Sequence, residues 1–270
     1  MPEITVNERK IAVPPETGLF GLRDQLKPGA DVLVRNGAPV SEDCLLEAGD
    51  TIVFIRRGET PSPSELEAQM AARHTPGVHA RLKTAVVGIA GLGGLGSTVA
   101  IALARTGVGR LILADFDVVE PSNLNRQQYF VSHIGRPKAE ALHDLLGQIN
   151  PCVHVDSHNV RLTGGNLPHL FREAQVLVEA FDGAEAKAML VESFLGAYPD
   201  RQVVAASGMA GHGPGNDVRA HRMGRGLVLV GDLSTGAAPG MGLMAPRVGI
   251  AACQQANAVL RILLGEDPVE

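Results

Sequence analysis

An apolar run from Ala85 to Ala90 leads directly into Gly91-Leu92-Gly93-Gly94-Leu95-Gly96, and an Ala-rich segment then continues to Gly107. That order commits this part of the chain to strand, tight turn and helix. Glycines let the backbone turn sharply and approach a ligand closely, and the helix start directs unpaired N–H groups at an anion. Taken alone, the loop says only that a nucleotide is held. Asp115 lies about 20 residues further on, at the end of a second apolar run, where a carboxylate can take ribose hydroxyls. Asn123, Arg126, Gln127 and Lys138 follow, a polar and cationic set that a reader of ribose and adenine does not need.

From Lys83 onward, strand-like and helix-like patterns alternate, as a mostly parallel sheet requires. The expected strands are Ala85–Ala90, Arg110–Asp115, His154–Ser157, Val176–Ala180 and Val203–Ala206. A helix opening at Pro137 carries Ala141, Leu142, Leu145, Leu146 and Ile149 on one face, with Pro137 suited to the first turn. A last helix is expected over Pro246 to Leu264. Gly-rich loops fill Ser207–Asn216 and Gly231–Pro246.

The first 58 residues read as a separate small α+β unit. Ile4–Asn7 and Lys10–Val13 form a hairpin around Glu8-Arg9. Thr17 is expected to cap a short helix carrying Leu19, Phe20, Leu22 and Leu26. Asp31–Arg35 ends in an Asn36-Gly37 turn, and Thr51–Ile55 follows a Gly49-Asp50 turn. Residues 59–80 read as a turn-rich linker and a short helix, Glu65 to Arg73, with Ser64 as cap and Glu67 as its capping-box partner. Residues 81–270 form the nucleotide-binding domain.

Composition excludes several classes. The formal net charge of −5 gives no basic footprint for nucleic acid. Three cysteines, Cys44, Cys152 and Cys253, cannot build a disulfide framework or a four-cysteine zinc site. Cys44 and Cys152 read as structural, and Cys253, in the last helix, as a small buried hydrophobe. The N-terminus lacks signal-peptide character. The uncharged run Thr84–Ala104 has the length of a membrane span, but its glycines favour a buried βα unit. The expectation is a cytoplasmic protein with no membrane partner.

A bound triphosphate calls for fixed cations and usually Mg²⁺, because catalysis at phosphorus is mainly positioning and charge stabilisation. Asn123 and Arg126 share a face if their segment is a helical turn. Arg126 can fork onto two oxygens, and Lys138 adds a point charge. Asp182, at the C-terminal end of Val176–Ala180, sits on the usual ligand rim of an open α/β sheet. A carboxylate among phosphates is repulsive unless a metal lies between them, so Asp182 is expected to help hold Mg²⁺. Plainer roles stay open. Asp115 and Asp117 also suit strand-end caps, Arg126 and Lys138 suit ion pairs, and Asp182 suits a cap for a helix near Ala184.

Gly91-x-Gly93-Gly94-x-Gly96, Asp115-x-Asp117, Asn123-x-x-Arg126-Gln127, Pro137-Lys138 and Phe181-Asp182 occur in the order and spacing of the ThiF/MoeB family, which the chain resembles from about Arg73 to Gly265. Residues 1–58 resemble the ThiS/MoaD ubiquitin-like sulfur carriers, through Val34-Arg35-Asn36-Gly37 and Ala48–Val53. The resemblance implies an adenylyltransferase, a nucleotidyltransferase that uses ATP to activate the C-terminal carboxylate of a small carrier ending in Gly-Gly. It implies Asp115 on the ribose, Asn123, Arg126 and Lys138 on the phosphates, and Asp182 with Mg²⁺ and the α-phosphate. It also implies a homodimer in which an arginine, here Arg73, crosses the interface. A sulfur donor such as a cysteine desulfurase would serve the carrier. Arg73-His-Thr-Pro-Gly-Val resembles the ThiF branch of thiamine-thiazole synthesis.

Two departures matter. The paired Cys-x-x-Cys zinc ligands of many relatives are missing, so no zinc is expected. No cysteine stands in either Gly-rich loop, so adenylation without a cysteine relay is expected. Phe54-Ile-Arg-Arg-Gly58 runs straight into Glu59, so the fused carrier-like unit lacks a free Gly-Gly tail and the substrate is expected to be a separate protein. The rival readings are an NAD-dependent dehydrogenase, which leaves Arg126 and Lys138 unexplained, a tRNA-modifying dehydratase of the same family, and a non-catalytic scaffold that docks a carrier.

Overall fold

The computed structural model describes residues 1–7 and 9–269, apart from the side chains of Pro63 and Ser64. Two compact units emerge, Met1–Ala80 and Arg81–Glu270.

The first unit is a five-stranded mixed sheet, ordered β2-β1-β5-β3-β4. Its strands are β1 (Glu3–Val6), β2 (Arg9–Ala12), β3 (Val32–Arg35), β4 (Ala38–Val40) and β5 (Thr51–Ile55), with helix α1 (Leu19–Leu26) between β2 and β3. Asn36 and Gly37 both take positive φ, 51° and 82°, to turn β3 back into β4. The sequence reading placed the turn but not the short strand after it. Leu19, Leu22, Leu33, Ile52 and Phe54 build one core. Gly18, not Thr17, is the N-cap of α1, and the Thr17 hydroxyl donates instead to Pro14 O. Glu8 of the expected hairpin turn lies outside the described residues.

Helix α2 (Pro63–Ala71) starts earlier than expected. Ser62 caps it and Glu65 completes the capping box, the Ser62 N–H donating to Glu65 Oε2 at 3.1 Å. The expected cap, the Ser64 side chain, lies outside the described residues. Ala72, just past α2, packs with Val34 and Val53, flanked by Val32 and Ile55, as a second small cluster on the sheet. Lys27 pairs with Glu65 at 2.9 Å and with Glu59 at 3.5 Å. These bonds, with those from Ser62, pull the Glu65 carboxyl down to about 2.

Helix α3 (Val78–Leu82) precedes the second unit's seven-stranded sheet, ordered β11-β12-β10-β9-β6-β7-β8. Strands β6 (Val86–Ala90), β7 (Arg110–Asp115), β8 (His154–Asn159), β9 (Val176–Glu179), β10 (Gln202–Ala206) and β12 (Leu227–Gly231) run parallel to their neighbours, and β11 (Arg219–Arg222) is antiparallel on the edge. Helices α4 (Gly94–Arg105), α5 (Lys138–Ile149), α6 (Leu167–Leu170), α7 (Ala184–Ala197) and α8 (Ala245–Leu263) cover it. The fold is a mostly parallel Rossmann-like α/β sheet preceded by a small ubiquitin-like unit.

The chain builds β6, β7 and β8 in one direction and then returns to lay β9 on the other side of β6. The ends of β6 and β9 therefore form the switch point where open α/β sheets bind ligands. Both Gly91 and Asp182 lie just past those ends. Strands β11 and β12 were not anticipated, and α5 takes Pro137 as its N-cap rather than inside its first turn. Cys253 and Cys152 are exposed and Cys44 is half-buried, which corrects the burial expected for Cys253. Its place on α8 faces away from the apolar stripe of Val248, Ala251, Ala252, Ala256 and Val259.

Phe171 and Phe194 are fully buried beneath the sheet. Gly88 in β6 makes room for Phe171: a Cβ there would sit 2.6 Å from the ring. Truncating Phe171 to Ala is expected to cost about 3–5 kcal/mol, read as an earlier urea midpoint for the transition reporting the larger unit.

Candidate active site

The glycine loop is built by close approach. Gly91 takes φ +89°, and a Cβ on it would lie 2.7 Å from Ala180 O, past the end of β9. A Cβ on Gly96 would run into the Gly91 carbonyl, and one on Gly94 would lie 2.9 Å from Val248 of α8. Gly93 differs, since its nearest neighbour is the Gln127 amide at 3.6 Å, an ordinary contact. Packing demands the other three glycines, whereas Gly93 leaves open space beside the start of α4. Gly93 is also the N-cap of α4, and no side chain caps that helix. Its first N–H groups are free to meet an anion.

Asp115 locks this loop. Its Oδ2 accepts the Leu92 N–H at 2.6 Å and its Oδ1 accepts the Asp117 N–H at 2.8 Å. Burial pushes the Asp115 carboxyl above its ordinary value, against these backbone bonds, which favour the charged form. The buried Tyr129 hydroxyl donates to Leu92 O at 2.8 Å, so the loop is held from both sides.

A cavity of about 800 Å³ opens over the loop. Gly91, Gly93, Gly94, Asp115, Asp117, Arg126, Gln127, Lys138 and Asp182 all line it. Lys138, buried at the start of α5, pairs with Asp117 at 3.1 Å. Arg126 has no carboxylate partner among the described residues. It donates to Asn125 Oδ1 at 2.8 Å and to Ser122 O at 3.3 Å. Gln127 is buried, and its Oε1 has no hydrogen-bond partner among the described residues.

Two predicted residues of this unit, Asn123 and Gly96, stand apart from the cavity lining. Asn123 is buried in a short 3₁₀ turn, Pro121–Asn123, where its Oδ1 accepts the Glu120 N–H at 3.1 Å. It shapes the turn that presents Arg126 rather than facing the cavity beside it. Gly96 serves packing. Arg73 is exposed and belongs to the first unit.

The far wall comes from the two Gly-rich loops. Ser207–Ala210 and Thr235–Ala237 line the cavity with small residues and one methionine. Asp232 knits these loops together. It accepts from the N–H groups of Ser234 and Thr235, each at 2.8 Å, from the Thr235 hydroxyl at 2.6 Å, and from the buried Arg247 guanidinium. Burial alone would push this carboxyl up, yet the bonds from Thr235 and Ser234 hold it below its usual range. Sequence reading also missed Lys187, Phe116 and Arg161, which line the same cavity. The Arg161 guanidinium lies 3.8 Å from the centre of the Phe116 ring. The only signal available was their spacing one residue past β7 and two past β8.

For a divalent cation the fit is modest but sound. Asp182 is exposed on the rim, and no cluster of three or more His, Cys, Asp or Glu placed to hold a metal occurs among the described residues. One carboxylate completed by ligand phosphates and water is the usual Mg²⁺ arrangement.

Residues 66–270 match the ThiF family, and residues 3–58 match the ThiS-like ubiquitin family. The chain belongs to the ThiF family. Among curated relatives, the probable adenylyltransferase/sulfurtransferase MoeZ of Mycobacterium tuberculosis is 41% identical over 103 residues, 38% of this chain and 26% of that protein. The sulfur carrier protein adenylyltransferase of Thermus thermophilus is 42% identical over 103 residues, 38% of each chain. The Escherichia coli sulfur carrier protein ThiS adenylyltransferase is 43% identical over 95 residues, 35% of this chain and 38% of that one. The matched stretches thus span well under half the length of these relatives. The E. coli tRNA N6-threonylcarbamoyladenosine dehydratase TcdA, in complex with ATP, aligns with a TM-score of 0.66 over 73% of this chain and 93% of that chain, at 21% identity. That likeness shows the fold alone. No helix among the described residues is long and apolar enough to cross a membrane.

Two glycine substitutions separate packing from ligand approach in this ThiF-family site. Gly96→Ala is expected to lower thermal stability markedly, because backbone must move. Gly93→Ala is expected to leave the melting temperature within about 2 °C while weakening ATP binding at least about tenfold by isothermal calorimetry.

Proposed function

We propose that the protein is an ATP-dependent adenylyltransferase acting on the C-terminal carboxylate of a small ubiquitin-like sulfur carrier that ends in Gly-Gly. One observation carries this reading: an unpaired Arg126, an uncapped helix start and Asp182 face a single cavity whose other wall is made of small residues. A nucleotide reader alone has no use for that cation, and a thin uncharged tail suits that wall. The named relatives support the reading.

In the proposed reaction the carrier's terminal carboxylate oxygen attacks the α-phosphorus of ATP. The bond from that phosphorus to the bridging oxygen breaks, giving an acyl-adenylate and pyrophosphate. Free N–H groups of α4 meet phosphate oxygens, with Gly93 allowing close approach and Gly91 and Gly94 packing the frame of the loop. Asp115 fixes the loop and offers its remaining lone pairs to ribose hydroxyls, with Asp117 beside it. Arg126 and Lys138 balance charge that grows on the phosphates, Lys138 turning partly from Asp117 to do so. Gln127, whose Nε2 lies beside Gly93, lines the phosphate end of the cavity with an amide donor. Asn123 acts through the turn it caps, as a positioning residue for Arg126. Asp182 would hold Mg²⁺, which would supply charge neutralisation at the phosphates.

Residues 1–58 form the carrier-like domain, 59–80 the linker and short helix, and 81–270 the catalytic domain in this reading. Gly58 continues into Glu59, so the fused domain is not itself the substrate. A homodimer with Arg73 lent across the interface, a cysteine desulfurase as sulfur donor, a cytoplasmic location and a role in thiamine-thiazole synthesis complete the proposal, the last on the strength of the E. coli relative. With no Cys-x-x-Cys pair, no zinc is invoked, and with no cysteine in either Gly-rich loop, no cysteine relay is invoked.

Exchange of labelled pyrophosphate into ATP, with and without carriers ending in Gly-Gly, tests the reading. Arg126→Ala and Asp182→Ala are each expected to reduce carrier-dependent exchange about 10²-fold or more with unchanged circular dichroism. Full exchange in both variants would remove them from the site.

A further inference from the structure

One ionic group at the cavity plays no part in the reaction as drawn. Glu179, the last residue of β9, is completely buried. Its carboxylate accepts from Lys187 Nζ at 3.0 Å on Oε1 and 2.9 Å on Oε2, and from the Phe181 N–H at 2.6 Å. The same Nζ donates to Ala206 O, at the end of β10, at 3.1 Å. Lys187 lines the cavity, yet its ammonium is engaged inside the protein and has little left for a ligand.

A buried ion pair is a poor device for stability alone, since apolar residues of like volume often serve as well or better. What this pair does is local. Glu179 and Lys187 stand on either side of residues 180–183, the turn that carries Asp182. Glu179 binds the Phe181 N–H, and the Lys187 N–H donates to Gly183 O at 3.0 Å to close the first turn of α7. The Ala180 N–H donates to Ala90 O at 2.9 Å, tying the same turn to the strand that feeds the glycine loop. Asp182 itself makes no side-chain hydrogen bond or ion pair among the described residues, and its N-terminal neighbours and Gly183 leave it exposed. Its direction is set by its backbone, which the Glu179 carboxylate holds through the Phe181 N–H while the Lys187 ammonium holds that carboxylate in place.

We infer that Glu179 and Lys187 are positioning residues that preorganise Asp182 for the divalent cation accompanying a nucleoside triphosphate. This rests on the adenylyltransferase reading for the role of Asp182. Removing the Lys187 ammonium strands the Glu179 carboxylate as an uncompensated buried charge. Replacing both side chains with apolar ones strands no charge but takes away the acceptor that holds the Phe181 N–H.

The test measures Mn²⁺ binding by electron paramagnetic resonance to the full chain saturated with a non-hydrolysable ATP analogue. Lys187→Met and the apolar double variant Glu179→Leu/Lys187→Met, which removes the acceptor of the Phe181 N–H as well as the charges, are each expected to weaken Mn²⁺ binding at least about tenfold. Lys187→Arg, which keeps the charge and the reach, is expected to restore most of it. The half-saturating Mg²⁺ for pyrophosphate exchange should rise in parallel, while the KM for the carrier stays within about twofold. The double variant guards against misfolding of the single one. Wild-type Mn²⁺ affinity in the folded double variant overturns the inference. Absence of carrier-dependent exchange in the wild type, with the Mn²⁺ shift intact, would instead sink the functional reading and leave the cation clamp standing.

Discussion

Asp115 spans two backbone N–H groups, one on the glycine loop and one on the turn that leads to Lys138. The rest of the site depends on that bridge. A buried carboxylate costs free energy unless hydrogen bonds compensate it, and here the compensating donors are the very segments a ligand must find in register. Without the bridge, Gly91 to Gly94 would be a run of permissive backbone with no fixed shape. With it, loop, strand end and the Asp117–Lys138 pair form one rigid edge beside the β6–β9 switch point.

Charge is distributed unevenly around that edge. Lys138, Lys187 and Arg247 each meet a carboxylate, while Arg126 meets only an amide and a carbonyl. Among the described residues that line the cavity, Arg126 and the Phe116-stacked Arg161 are the cations without a carboxylate partner, an arrangement suited to an anion. The site is thus assembled before ligand arrives, and binding need only redirect side chains rather than rebuild loops.

Much of this was legible in the sequence, and the limits are physical. Strands β6, β7, β9 and β10 are continuous apolar runs because both faces are covered, so they stand out. The glycine loop stands out because only glycine tolerates the contacts at Gly91 and Gly96. Strands β11 and β12 were hidden: β11 reads Arg-Ala-His-Arg, an edge strand whose charges belong to solvent, and Gly-rich loops flank the pair. The Asn123 side chain was misplaced because spacing alone does not distinguish a helical turn from a 3₁₀ turn closed by the residue's own amide. Cys253 was misjudged because small residues surround it in sequence, whereas exposure follows the helical face. The Glu179–Lys187 clamp was invisible for a related reason. Its partners belong to different elements, and the third group in the cluster is a carbonyl on yet another strand.

The packing of Ala72 on Val34 and Val53 has a consequence for how the chain is divided. The sheet of the first unit has two apolar faces, and α1 covers only one of them. The segment after Gly58 supplies the remaining cover, so what reads as a tether is part of the roof. A cut immediately after Gly58 would do more than free a tail. It would unseat the lid and bring valines into water, so a proteolytic route to a detached, soluble carrier begins with a penalty written into the fold.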